Sequence, residues 1–145
     1  MKNLFEVTGK VVVVTGATGI LAGGTAKYLQ EQGAKVVYVG RNQKKVDAVM
    51  EEAKTISDHC LGVTTDVMDE DGLNAGYEKV INQFGRVDAL INGAGGNMPG
   101  ATIGPDKEIF DLDIEDYSRV MDLNLKGSVL PTLTFAKAFK EQGNG

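Results

Sequence analysis

Residues 11–24 read VVVVTGATGILAGG. Four consecutive β-branched residues favour an extended strand, and a run without polar alternation fits a strand buried on both faces. The run ends at Thr15 and passes through Gly16 and Gly19. It then gives way to Leu21, Ala22, Thr25, Ala26 and Leu29 at helical spacing, with Gly33 as the stop. A strand, a glycine turn and a helix make the opening of a β-α-β unit.

The rest of the chain repeats the alternation. KVVYV (35–39) predicts a second buried strand. Asn42 can cap a helix whose apolar face is Val46, Val49, Met50, Ala53 and Ile56. LGVTT (61–65) is a weaker third strand. Asp69 or Asp71 opens a helix with Leu73, Tyr77, Val80, Ile81 and Phe84 inside, closed by Gly85. VDALI (87–91) is the fourth strand, and residues 95–112 form a glycine- and proline-bearing loop. From about Asp113 one long helical pattern runs towards Gln142, with a bend expected at Pro131. Strands alternating with amphipathic helices predict the α/β class: a Rossmann-type doubly wound parallel sheet, helices on both faces, strand order 3-2-1-4.

The 145 residues suit one domain or part of one, and 42% apolar with 24% charged residues is an ordinary globular composition. A net charge of -5 argues against a general nucleic-acid binder. No apolar run approaches a membrane span, and MKNLFEVTGK has no apolar signal core, so the expected location is cytoplasmic. The single Cys60 excludes an intramolecular disulfide and reads as a small buried or half-buried side chain. With His59, the only histidine, it is too small a ligand set for zinc, and no metal is expected.

The turn carries the chemistry. Gly16 can take the tight bend, Gly19 lets backbone approach a pyrophosphate, and Ala22 with Gly23 keeps the helix close to the strand. Free N–H groups and the helix dipole favour negative charge there. The spacing G-x-x-G-x-x-A is a variant of the dinucleotide fingerprint. A methyltransferase binding an adenosyl cofactor is the alternative for this motif alone, but its cofactor lacks the pyrophosphate that the turn suits.

TGATGILA (15–22), TTDV (64–67), INGAGG (91–96) and MDLNLKGSV (121–129), in this order, resemble the short-chain dehydrogenase/reductase family. The resemblance implies that Thr15, Gly16, Thr18, Gly19, Ile20 and Leu21 belong to the cofactor turn. It places Asp66 and Val67 against the adenine, and Asn92, Ala94 and Gly95 beside the adenosine ribose and pyrophosphate. Asn124 matches the helix asparagine that supports a water in the proton relay. The glycine spacing departs towards the family's extended branch. NGAGGNMPGAT with FDLDIEDYSRVMDLNLKGSVLP is similar to the D-mannonate oxidoreductase (fructuronate reductase) type, which implies a sugar-acid substrate.

An NAD enzyme usually ends its second strand in an acid. Here that strand ends YVGRN: Gly40 holds the acidic position, Arg41 and Asn42 follow, and Lys44 and Lys45 are close in sequence. A guanidinium pairs bidentately with a 2′-phosphate, so the expected cofactor is NADP, with NAD the alternative.

The resemblance also implies a Ser, and a Tyr with Lys four residues on, after the next strand. Tyr28, Tyr38, Tyr77 and Tyr117 are followed at that distance by Gln32, Asn42, Ile81 and Met121, so none fits. The expectation is that 1–145 is the N-terminal, NAD(P)-binding part of a longer single-domain oxidoreductase acting on a small alcohol or carbonyl substrate, its C-terminal strands and catalytic segment lying elsewhere. By itself the chain would be inactive. The alternative is a dinucleotide-binding sensor or interaction module without chemistry. Val129, Leu133, Phe135, Ala136 and Phe139 give the helix from about Asp113 to Gln142 more apolar surface than one sheet face needs, which predicts a homo-oligomer through that helix.

Overall fold

The computed structural model describes residues 5–145. The leader reading of the N-terminus thus falls in part on residues 1–4, outside the described residues. The elements run β1 (Val11–Thr15), α1 (Ile20–Glu31), β2 (Lys35–Gly40), α2 (Gln43–Ile56), β3 (Cys60–Thr64), α3 (Glu70–Phe84), β4 (Ala89–Asn92), α4 (Ile114–Met121) and α5 (Gly127–Gln142). The four strands are parallel in the order β3-β2-β1-β4, as expected.

The valine run explains itself in section. Val11 and Val13 join Val37, Val39 and Val63 on one face, against Leu73, Tyr77 and Val80 of α3 and Phe135 and Ala138 of α5. Val12 and Val14 join Val36, Tyr38 and Cys60 on the other, with Ala26 of α1 and Ala53 of α2. Both faces are dry, so β1 has no position for a polar alternation. Asn42 caps α2 by accepting from Lys45 N–H, Asp69 caps α3 by accepting from Gly72 N–H, and Gly85 ends α3 at a φ of 73°.

Three expectations are corrected. The buried stripe of α1 is Ala22, Ala26, Leu29 and Gln30; Leu21 and Thr25 are exposed, one position out of phase. The helix from Asp113 is two helices, separated by a π-helical turn at Asp122–Lys126, while α5 continues through Pro131. Pro131 is buried in the second turn of α5, where its missing N–H forfeits only the bond to the Gly127 carbonyl. Phe135 belongs to the core, edge-on to Tyr77 with centroids 6.0 Å apart, and Phe139 packs on the same cluster. Val129 and Leu133 do stay outward, as expected, and Leu125 joins them.

A polar network in the core ties α1 to α2. Gln30, 2% exposed, donates through Nε2 to the Ala53 carbonyl (2.9 Å) and to the Ser57 hydroxyl (2.9 Å), and accepts from Tyr38 Oη (2.7 Å). Burial, helped by Cys60 and Glu31, pushes the Tyr38 phenol up to about 12, so it remains a donor. Gln30→Ala should destabilise the fold by about 2–3 kcal/mol, because it leaves buried groups unpaired, whereas Tyr38→Phe should cost about 1 kcal/mol. Urea unfolding of both variants and of the double variant checks this; strictly additive losses would argue against a shared network.

Candidate functional site

The C-terminal ends of all four strands open on one cleft of about 400 Å³. Gly16, Thr18 and Gly19 line it from the β1–α1 turn. Val39, Gly40, Arg41, Asn42 and Lys45 line it from the end of β2 and the start of α2. Thr65, Asp66 and Val67 follow β3; Gly93, Ala94 and Gly95 follow β4; Leu123 comes from the π-helical turn.

The floor is made of backbone. Gly16 has a φ of 68°, and a Cβ there would stand 2.5 Å from the Gly93 carbonyl oxygen. Only glycine satisfies both conditions. A Cβ on Gly93 would in turn lie 2.6 Å from Ala22 Cβ, so Ala22 lets α1 sit close to the β4 turn. Gly19 offers no side chain to cap α1, and no acidic residue stands in its first turn. The positive end of a 12-residue helix therefore faces the cleft without a counter-charge of its own.

Most expected site residues converge. Gly16, Thr18, Gly19, Arg41, Asn42, Asp66, Val67, Ala94 and Gly95 all line the cleft. Asn42 does so while its Oδ1 accepts from Lys45 N–H (3.1 Å), and Asp66 while its Oδ1 accepts from Met68 N–H (2.9 Å). Four others stand outside the lining. Thr15 is fully buried; its Oγ1 accepts from Gly93 N–H (3.1 Å) and Ala94 N–H (3.3 Å), bracing the β4 turn from beneath. Ile20 and Leu21 are exposed at the start of α1. Asn92 donates to Thr132 Oγ1 (3.0 Å), joining the end of β4 to α5.

Asn124 also lies outside the lining. Its amide donates to the Gly96 carbonyl (2.7 Å) and the Val120 carbonyl (2.8 Å), clipping the β4 loop to the π-helical turn. None of the four tyrosines lines the cleft.

Val39, Thr65, Gly93 and Leu123 were not singled out from the sequence. Three of them sit inside the quoted motifs TTDV, INGAGG and MDLNLKGSV, so adjacency was their signal. Val39 carried no local signal, being one of a run of core valines.

A profile of the family described as short chain dehydrogenase matches residues 10–145. An uncharacterized oxidoreductase, UxuB, of Bacillus subtilis (strain 168) is 34% identical over 140 residues, covering 91% of this chain and 50% of its own length. The 2-dehydro-3-deoxy-D-gluconate 5-dehydrogenase of Dickeya dadantii (strain 3937) is 32% identical over 143 residues, covering 99% and 53%. Among solved structures, a Haemophilus influenza protein provisionally assigned as a D-mannonate oxidoreductase, with bound NAD, superposes with a TM-score of 0.81 at 31% identity, covering 91% and 51%. The 3-ketoacyl-(acyl-carrier-protein) reductase of Brucella melitensis, complexed with NADH, gives 0.79 at 32%, covering 94% and 53%. The chain spans about half the length of the curated relatives it matches.

Thr15→Val preserves shape and removes the acceptor for two N–H groups. It should destabilise the fold by about 1–3 kcal/mol, and Thr15→Ser should recover most of the loss. Equal stability of Thr15→Val and the parent in urea would remove Thr15 from the bracing of the β4 turn.

Proposed function

This chain belongs to the short-chain dehydrogenase family, and from that premise we propose that it is the cofactor-binding half of an oxidoreductase moving a hydride between a nicotinamide and an alcohol or carbonyl carbon. The observation that carries the reading is the cleft itself: a glycine turn at an uncapped helix start, open backbone after β4, Arg41 just after β2 and Lys45 in the first turn of α2. NADP(H) has two anionic parts to hold, the pyrophosphate and the 2′-phosphate, and the cleft offers positive charge at two places. The pyrophosphate would rest on the turn between Gly16 and the start of α1. The adenosine would lie towards Asp66 and Val67, with Ala94 and Gly95 leaving room for its ribose. The bound cofactor supplies the hydride chemistry; these residues bind, orient and keep backbone out of its way.

The finer reading is NADP(H), with NAD(H) as the second. The Haemophilus and Brucella structures hold NAD and NADH, which supports the nicotinamide class. In this chain the acidic position at the end of β2 is Gly40, and the cations beside it line the cleft. Arg41→Ala should weaken NADPH binding to the full-length protein by about 1.5–3 kcal/mol, the scale of a hydrogen bond to a charged group, with far less effect on NADH. Equal losses in a fluorescence titration would overturn the preference.

The substrate class favoured is a sugar acid. The likeness to the Haemophilus and Dickeya proteins supports it, together with the β4 loop sequence. We place the location in the cytoplasm; among the described residues no helix is long and apolar enough to cross a membrane. The self-association surface would be the exposed Leu125, Val129 and Leu133. The reading of a cofactor-binding module without chemistry rests on the absence of Tyr-x-x-x-Lys from these 145 residues. One experiment separates the two. The full-length protein, sedimenting as an oligomer, should turn over NADP(H) with sugar acids, while residues 1–145 alone should show a loss of at least about 10²–10⁴-fold for want of a general acid. No turnover by the full-length protein across sugar acids and simple ketones would favour the non-catalytic module.

A further inference from the structure

The end of β2 is shaped by a residue from another element. A Cβ built on Gly40 would stand 2.6 Å from Thr18 Cγ2, 3.0 Å from Thr18 Oγ1 and 3.2 Å from Val46 Cγ2. Gly40 has no positive φ, so its backbone does not require glycine; its neighbours do. Thr18 is β-branched and stiff about χ1. Its two heavy γ-substituents occupy two of the three staggered positions, both against Gly40. Rotation by one well moves the hydrogen into at most one of these positions and leaves a heavy atom in the other. An acidic side chain at 40 therefore has nowhere to start while Thr18 keeps its place. Thr18 also lines the cleft, with Arg41 and Lys45, and among the described residues its hydroxyl has no hydrogen-bond partner.

We propose that Thr18 is a specificity-determining residue: it fills the space in which a ribose-binding carboxylate would stand, so that the glycine turn, and not β2 alone, excludes the acid and leaves the ribose 2′-position to Arg41, Lys45 and the Thr18 hydroxyl. This rests on the reading of the cleft as a nicotinamide dinucleotide site. It makes positions 18 and 40 a coupled pair. Placing an acid at 40 with Thr18 present pushes the glycine turn away from its seat on Gly93, which harms every dinucleotide. Trimming Thr18 first lets the acid fit.

The test is a double-variant cycle in the full-length protein, with NADPH and NADH dissociation constants read from nicotinamide fluorescence and melting temperatures read alongside. Gly40→Asp alone should weaken both cofactors. Thr18→Ala with Gly40→Asp should bind NADH at least about tenfold more tightly than Gly40→Asp does, a coupling well within the range for residues in contact. NADH affinity that is the same in Gly40→Asp with and without Thr18 overturns the proposal. Wild-type protein binding NADH as tightly as NADPH would defeat the NADP(H) preference, and the NADH comparison between the two Asp variants would still decide the coupling. If Gly40→Asp does not fold, Gly40→Ala reads the same contact: it should melt below the wild type, and Thr18→Ala should recover the loss. An equal drop in both backgrounds overturns the proposal.

Discussion

The site depends on two stretches of backbone touching. The Gly16 turn and the Gly93 turn meet without a side chain between them, and Thr15 reaches from the end of β1 to hold both N–H groups of the second turn. This contact fixes the distance between the loops after β1 and β4, and hence the width of the cleft floor. Nothing larger than glycine fits at Gly16, by conformation and by space. The rest of the fold holds these two turns still: β1 pairs with β2 and β4, both faces of the sheet are covered, and the Gln30–Tyr38 network ties α1 to α2.

The fold was legible because it rests on residue types with one structural meaning in this pattern. A valine run with no alternation means two covered faces; Asn42, Asp69 and Gly85 mark helix ends for reasons internal to each turn. The site was legible where glycine or charge marked it. Strand parity decided what glycine and charge did not mark. Thr15 lies in phase with Val11 and Val13, so its side chain turns into the protein and braces the β4 turn from below.

The α4–α5 region shows what periodicity leaves out. A π-helical turn shifts the hydrogen-bond register by one residue without changing which residue types recur. Side-chain bonds to the carbonyl four residues back run through it and on into α5. Asn124, Ser128 and Thr132, four apart, bond to the carbonyls of Val120, Asn124 and Ser128. Likewise, α5 is apolar on more than one side, so the sequence did not tell core from surface; contact with Tyr77 did, burying Phe135 and leaving Val129 and Leu133 outside.

Charge works locally in this protein. The chain carries a net -5, and a long-range field of that sign repels a polyanionic cofactor. At physiological ionic strength such fields are screened beyond about 8 Å, so binding is decided by groups on the cleft wall. There the balance reverses: Arg41 and Lys45 face a single carboxylate, Asp66, and the uncapped start of α1 adds partial positive charge. Asp66 is held by Met68 N–H just after β3, the edge strand two places from β1 in the sheet. The positive groups thus stand where phosphates would come and the negative one where an uncharged base would. On the proposed reading of the cleft, this separation would let an acidic chain hold an anionic dinucleotide in one orientation.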